Sequence, residues 1–328
     1  MKPVFRSNLF ACILIFLYVF AGGFVLVRLH IPNYILIALA EVLFLLVPTI
    51  IYFYITKLSV INTLRLHKIN IKSIGVVILI VACCFPIATF ASLVTQLFFT
   101  NNTAKVMNSF MSLPLILLIL ITAVTPAVCE EVTMRGVVLS GYKNVDIKKA
   151  AIMNGLIFGL FHMNPDQFLY AFALGVIFAY IVDITNSIFS TMIAHFTFNG
   201  SQTVMAWLVI KFSPFLNQGT KTNAETSFSQ YSLHLKVIML SFSFAFAAGS
   251  VVLVVLLLKL LKSVNKDKIA EKYGNGFENN EDISENNEVG LLYNNYKPKK
   301  ERVVNLPFIL IVLLYIVYIG WHFSKFAA

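Results

Sequence analysis

The sequence predicts an all-α, polytopic transmembrane helical bundle of about eight or nine spans, with its functional core in the fourth to seventh. Three observations carry this. Apolar residues make up 59% of the 328 and charged residues 12%, where soluble domains carry about 25% charged residues. The apolar residues gather in runs of about 17–25, the length that crosses a bilayer. The charges that interrupt those runs are few and grouped, and an ionisable residue at membrane depth is a functional candidate by default.

Taken in order, the spans fall near 9–28, 34–55, 74–99, 113–141, 149–164, 168–182, 187–211, 235–261 and 306–323. The first has no small-residue cleavage site and reads as a span rather than a signal peptide. The fifth and sixth are short, separated only by Met163-Asn164-Pro165-Asp166-Gln167, so they are expected to tilt or to cross incompletely. Lys2 and Arg6 precede the first span. Lys57, Arg65, Lys68 and Lys72 follow the second, Lys143, Lys148 and Lys149 the fourth, and Lys259, Lys262, Lys266 and Lys268 the eighth. All four clusters share one side if the N-terminus is cytoplasmic, as the positive-inside rule requires. Residues 262–304 break the pattern with Asn, Glu and Lys and the turn signal Gly274-Asn275-Gly276. Too little apolar surface is present there to support a fold, so a disordered cytoplasmic loop is expected. The chain divides accordingly: a membrane domain over 1–261, the hydrophilic loop 262–304 and an added C-terminal span over 305–328. No internal repeat is visible.

The net charge of +10 fits topology and contact with anionic lipid, and no concentrated basic domain suggests nucleic acid. Cys12, Cys83, Cys84 and Cys129 all lie in apolar runs without metal-like spacing. They read as small buried hydrophobes.

The chemistry lies in the fourth span and the three that follow. Thr125-Pro126-Ala127-Val128-Cys129-Glu130-Glu131-Val132-Thr133-Met134-Arg135 places two carboxylates and a guanidinium inside an apolar run. Counting from the boundary after Gly141, Glu130 lies roughly 16 Å along its helix. His162 comes roughly 20 Å along the fifth span, and His195 and Asn199 roughly 12 and 18 Å along the seventh. Polar groups from three helices thus arrive in one slab of the bilayer. Glu131 and Arg135 are i,i+4, within reach of an ion pair that is purely structural on its face, and His195 and Asn199 are also i,i+4. Glu130 is turned about 100° from Glu131 and has no cation left once Arg135 is taken, which marks it for a chemical role. Phe158 stacks one turn before His162 and could wall the site. Read alone, His162 is as well explained as an interhelical hydrogen-bond partner. Glu41 in the second span fits structural hydrogen bonding or an accessory role equally. Asp166 and Asp183 sit at helix ends and are expected to be solvated.

At these residues the chain resembles the CPBP (ABI) family of intramembrane proteases, which includes the type II CAAX prenyl endopeptidases and bacteriocin-processing or immunity proteins. That family is marked by E-E-x-x-x-R, F-x-x-x-H and H-x-x-x-N on successive membrane helices. Here the motifs read Glu130-Glu131-Val132-Thr133-Met134-Arg135, Phe158 to His162, and His195-Phe196-Thr197-Phe198-Asn199. The resemblance covers roughly residues 75–205. It implies that Glu130, aided by His162, activates water, that His195 and Asn199 bind the developing oxyanion, and that Glu131 and Arg135 hold the helix and orient Glu130. Family members are classed as metalloproteases, and a metal-free glutamate mechanism is also argued for them. The residue types allow either. Glu130, His162 and His195 could supply the three protein ligands of a catalytic zinc, although the H-E-x-x-H layout is absent. Without metal, Glu130 can take a proton from water while donors face the oxyanion.

The substrate implied is a membrane-associated or lipidated peptide or protein that reaches the site from the bilayer. The Asn- and Lys-rich loop composition points to a bacterial cell membrane, where a peptide precursor fits better than a prenylated CAAX protein. The hydrophilic loop and ninth span depart from the eukaryotic enzymes. Two alternatives stand beside the endopeptidase: a bacteriocin-immunity or scaffold protein on the same fold, and a proton-coupled transporter, which also uses intramembrane Glu and His but should show paired broken-helix repeats.

Overall fold

A computed structural model of the chain describes residues 1–22, 28, 31–99, 109–216, 228–274 and 301–327. Among these residues every long element is a helix and there is no strand. Helix α1, Pro3–Phe16, runs on as a π-turn over Leu17–Gly22. Helix α2 spans Asn33–Thr56, and a short α3, Val60–Leu64, follows it. Then come α4 (Ile71–Thr95), α5 (Leu115–Val138), α6 (Ile147–Phe161), α7 (Pro165–Thr185), α8 (Ile188–Leu216) and α9 (Leu233–Val264). A short α10, Lys266–Gly274, and a terminal α11, Leu306–Ala327, complete the order. The protein is a multi-pass membrane bundle.

Among the described residues, α2, α4, α5, α7 and α9 are long and apolar enough to cross a membrane, and α1 and α11 carry shorter apolar stretches. The remaining two predicted spans are both helical but differ in kind. Helix α6 has only 15 residues. Helix α8 is longer, with 29 residues, but carries Ser190, Thr191, His195, Asn199 and Thr203 along its length. Polar residues that serve the interior lower the apolar signal of the helix that bears them.

Helices α6 and α7 form a close hairpin whose spacing comes from glycine. A Cβ on Gly155 would lie 2.7 Å from the Phe172 carbonyl oxygen, and one on Gly159 2.8 Å from that of Phe168. The pair is a G-x-x-x-G, which lets two membrane helices approach backbone to backbone. Residue 162 closes α6, and Asn164 starts α7 by accepting the Asp166 N–H. A three-residue turn therefore carries His162 out of the hairpin at a fixed position.

Helix α5 is interrupted by two π-segments, Leu120–Val124 and Val132–Val138, which flank Thr125–Glu131. Pro126 explains the first: it has no N–H to offer the Thr122 carbonyl four residues back. Short π-segments concentrate at functional sites because they re-aim the side chains around them. In the second, the Met134 carbonyl receives the Asn154 amide of α6 at 2.9 Å.

Elsewhere the chain departs from expectation at helix ends. Asp166 and Asp183 are buried, 4% and 6% exposed, because neighbouring helices cover both ends of α7; Lys262 of α9 lies within electrostatic reach of Asp183. Most of the hydrophilic segment, 275–300, lies outside the described residues. Its first part forms α10, anchored where Asn265 bonds Ser73 and where the buried Ile269 enters the core of α4, α7 and α8. At the other end α11 packs on α1, clasped by the Asn8 amide, which donates to the Val303 carbonyl and to Asn305.

Candidate active site

Helices α5, α6 and α8 bring the three sequence motifs together in the interior. Glu131 is fully buried and accepts from two donors through one oxygen: the Arg135 guanidinium at 3.0 Å and His195 Nδ1 at 2.8 Å. The ion pair anticipated from i,i+4 spacing is therefore present, and it has a third member. A carboxylate can only accept, so Nδ1 of His195 carries its hydrogen and Nε2 is the nitrogen left for chemistry. That Nε2 lies 3.9 Å from Glu130 Oε2. Glu131 thus orients His195 as a buried carboxylate orients the imidazole of a Ser-His-Asp triad.

Arg135 is also fully buried. Its guanidinium carbon lies 4.2 Å from the ring centre of Phe158 and 5.4 Å from that of Phe178. Desolvated cations over aromatic faces gain about 2 kcal/mol, which offsets part of the cost of burial. Phe158 does more than wall the site. Its ring meets His162 edge-on at 4.8 Å and His195 edge-on at 6.2 Å. One side chain therefore sets the separation of two imidazoles and covers the cation behind them.

His162 closes its helix by donating from Nδ1 to the Phe158 carbonyl at 2.8 Å. The carbonyl fixes the tautomer, and Nε2 keeps its lone pair. Met163, with φ of 47°, then turns the chain sharply into α7.

Glu130 is 6% exposed, and its Oε2 has no hydrogen-bond partner among the protein groups. Burying a carboxylate oxygen without partners costs several kcal/mol, so the arrangement calls for a bound group such as water. Asn199 stands one turn beyond His195, and its amide donates to the Thr122 carbonyl at 3.0 Å. This is the carbonyl that Pro126 leaves without its helical donor. Asn199 is thus a joint between α8 and α5, reinforced by the 2.7 Å contact of Thr122 and Thr203 hydroxyls. Its second amide N–H is the one left for any other role.

Glu41 of α2, for which the sequence allowed a structural or an accessory role, lies within electrostatic reach of Glu130. Two aromatic neighbours were not singled out from the sequence. Tyr18 of α1 and Tyr170 of α7 lie within electrostatic reach of Glu130, and the Tyr18 ring lies tilted against that of Phe161 at 5.2 Å. Depth counting from Lys57 places Glu41 about 24 Å along its helix, just beyond the slab of the other groups. Nothing in the pattern of an apolar helix marks a tyrosine.

The zinc set can be tested against these residues. Among the described residues no three His, Cys, Asp or Glu side chains are grouped closely enough to hold a metal ion. Glu130 and His195 Nε2 approach to 3.9 Å, but His162 does not complete a third vertex. The arrangement does not fit a catalytic zinc, and no step below passes through one.

Residues 112–201 match the family model described as type II CAAX prenyl endopeptidase Rce1-like. The matched stretch contains all three motifs. No curated protein and no solved structure matches the chain.

Proposed function

We propose that this membrane protein is an intramembrane endopeptidase that hydrolyses a peptide bond with water activated by Glu130 and the two imidazoles. The similarity of residues 112–201 to the CAAX endopeptidase family supports protease activity of this type. The observation that carries the reading is the buried Glu130 Oε2, without a protein hydrogen bond and 3.9 Å from His195 Nε2.

In the proposed reaction, Glu130 takes a proton from water as the water oxygen bonds to the scissile carbonyl carbon. The carbonyl π-electrons move onto oxygen. His162, with its Nε2 lone pair free, holds the water in line. When His195 carries a second proton on Nε2, it becomes a donor to that oxyanion, and Glu131 balances its charge. Preorganised donors of this kind supply about 3–4 kcal/mol of transition-state stabilisation. Collapse of the intermediate breaks the C–N bond, and the nitrogen leaves with the proton held by Glu130.

We further propose a substrate that is itself membrane-associated or lipidated, because the reacting groups lie among helices with apolar outer faces. The basic clusters support a cytoplasmic N-terminus, and a bacterial peptide precursor suits the chain better than a prenylated protein. The test is cleavage of a labelled panel of membrane-anchored peptides by purified protein in bilayers, with and without chelator. Cleavage that Glu130→Ala abolishes and chelator leaves intact is the expected result. Cleavage retained by Glu130→Ala overturns the assignment, and loss under chelator restores the metal mechanism.

A further inference from the structure

One buried polar side chain of α6 takes no part in the reaction above. Asn154 interrupts the apolar run Ala150-Ala151-Ile152-Met153 and is fully buried. With Phe158 and His162 it falls at i, i+4 and i+8, so the three follow one stripe of the helix over about 12 Å. That stripe meets α5. The Asn154 amide donates to the Met134 carbonyl at 2.9 Å, and the Phe158 ring covers the Arg135 guanidinium at 4.2 Å. His162 hangs from the same stripe: its Nδ1 bonds the Phe158 carbonyl at 2.8 Å, and its ring meets that of Phe158 edge-on.

The acceptor belongs to the π-segment Val132–Val138. The Met134 carbonyl already receives the Leu139 N–H, five residues on, and offers its second lone pair to α6. It would therefore stay bonded without Asn154. The Oδ1 of Asn154 is itself buried and has no hydrogen-bond partner among the described residues. Burying that oxygen unpaired costs about what the amide bond returns, so stability alone gives no reason for an asparagine here. Position does. No hydrophobic force holds apolar helix faces together in lipid, and an axial shift costs them only packing. A directed bond at 2.9 Å fixes one offset of α6 along α5.

We infer that Asn154 is a positioning residue: its bond to Met134 sets the height of α6 on α5, and with it the place of His162 relative to Glu130. A slip of α6 by one residue moves the imidazole by about 1.5 Å, enough to take it out of line with the water. The inference rests on His162 holding that water in the proposed reaction.

The test combines kinetics with nitrogen NMR on full-length protein in bilayers. Asn154→Leu, similar in volume and unable to donate, is expected to keep the melting temperature of wild type. Its kcat should fall about 10- to 100-fold with little change in KM, the effect of displacing a reacting group by about 1 Å. Asn154→Ala removes the donor without adding bulk and should show the same kcat loss per folded molecule, whether or not leucine packs. Asn8→Ala breaks the clasp between α1 and α11 and is the control. It should lower the melting temperature and leave kcat per folded molecule unchanged. The ring-nitrogen resonances of His162, assigned by their absence from His162→Gln, should move in both Asn154 variants and stay in place in Asn8→Ala. Wild-type kcat in a folded Asn154 variant, or unmoved His162 resonances, overturns the inference. If wild type cleaves nothing in the panel, the endopeptidase reading fails by itself, and the His162 resonances still decide whether Asn154 sets the place of that ring.

Discussion

Glu130 and Glu131 are neighbours in sequence with opposite fates. Glu131 has a guanidinium at 3.0 Å and an imidazole at 2.8 Å, and its surroundings are closed. Glu130 has another carboxyl within electrostatic reach and a histidine nitrogen 3.9 Å away. The second oxygen of each glutamate is without a hydrogen-bond partner among the protein groups. A single step of about 100° around one helix therefore separates a carboxylate that holds two side-chain donors from one that holds none as closely. The first gives the site its shape, because Arg135 and His195 both bond to Glu131. The second is where a reacting molecule can still gain a bond, which makes it the candidate for chemistry.

Breaking the open side should have the largest effect on rate. Glu130→Gln keeps the shape and removes the base, and cleavage is expected to fall by about 10²–10⁴-fold with an unchanged melting temperature. A stability loss as large as that of a Glu131 variant would erase the distinction between the two glutamates.

Breaking the closed side should cost stability first. Glu131→Ala strands both Arg135 and His195, and removing one partner of a buried ion pair costs about 3–5 kcal/mol. Denaturation in detergent measures this. Activity should fall too, since His195 loses the acceptor that orients it. Arg135→Ala should lower stability while leaving the His195–Glu131 bond, and its residual cleavage per folded molecule should exceed that of Glu131→Ala.

The joint at the edge of the comparison separates the two possible uses of Asn199. Asn199→Ala leaves the Thr122 carbonyl without its side-chain donor, at an expected cost of about 1–3 kcal/mol. In a Pro126→Ala background the helix can supply that donor, so the stability cost should shrink, as a double-mutant cycle would report. Any cleavage defect that survives in the double variant belongs to a direct role of Asn199 at the oxyanion. Phe158→Leu should cost less, about 1–2 kcal/mol for the lost cation–π contact, with a rise in kcat/KM defects only if the two imidazoles drift apart. Smallest of all, deleting 275–300 should leave both stability and cleavage unchanged if that segment only links α10 to α11.

Much of the site was legible because membrane interiors make polar residues conspicuous. Glu130, Glu131, Arg135, His162 and His195 each interrupt an apolar run, and counting 1.5 Å per residue from charged boundaries placed them in one slab. The pairing of Glu131 with Arg135 followed from i,i+4 spacing. The bond of Glu131 to His195 did not, because spacing says nothing about a helix 64 residues away. The resemblance implied an oxyanion role for Asn199, and the structure adds a bond from its amide to the Thr122 carbonyl; Pro126, four residues on, is the signal that pointed there. The buried ends of α7 were missed because a helix terminus is solvated only if no neighbour covers it.

Apolar runs of bilayer length made a helical membrane protein legible from the residues alone, and lipid admits so few polar groups that each one stood out as a candidate. Spacing along one helix already gave Arg135 to Glu131. What only packing could supply were the partners from other helices: α8 brought the His195 donor to Glu131, while α2 brought a second acid within electrostatic reach of Glu130.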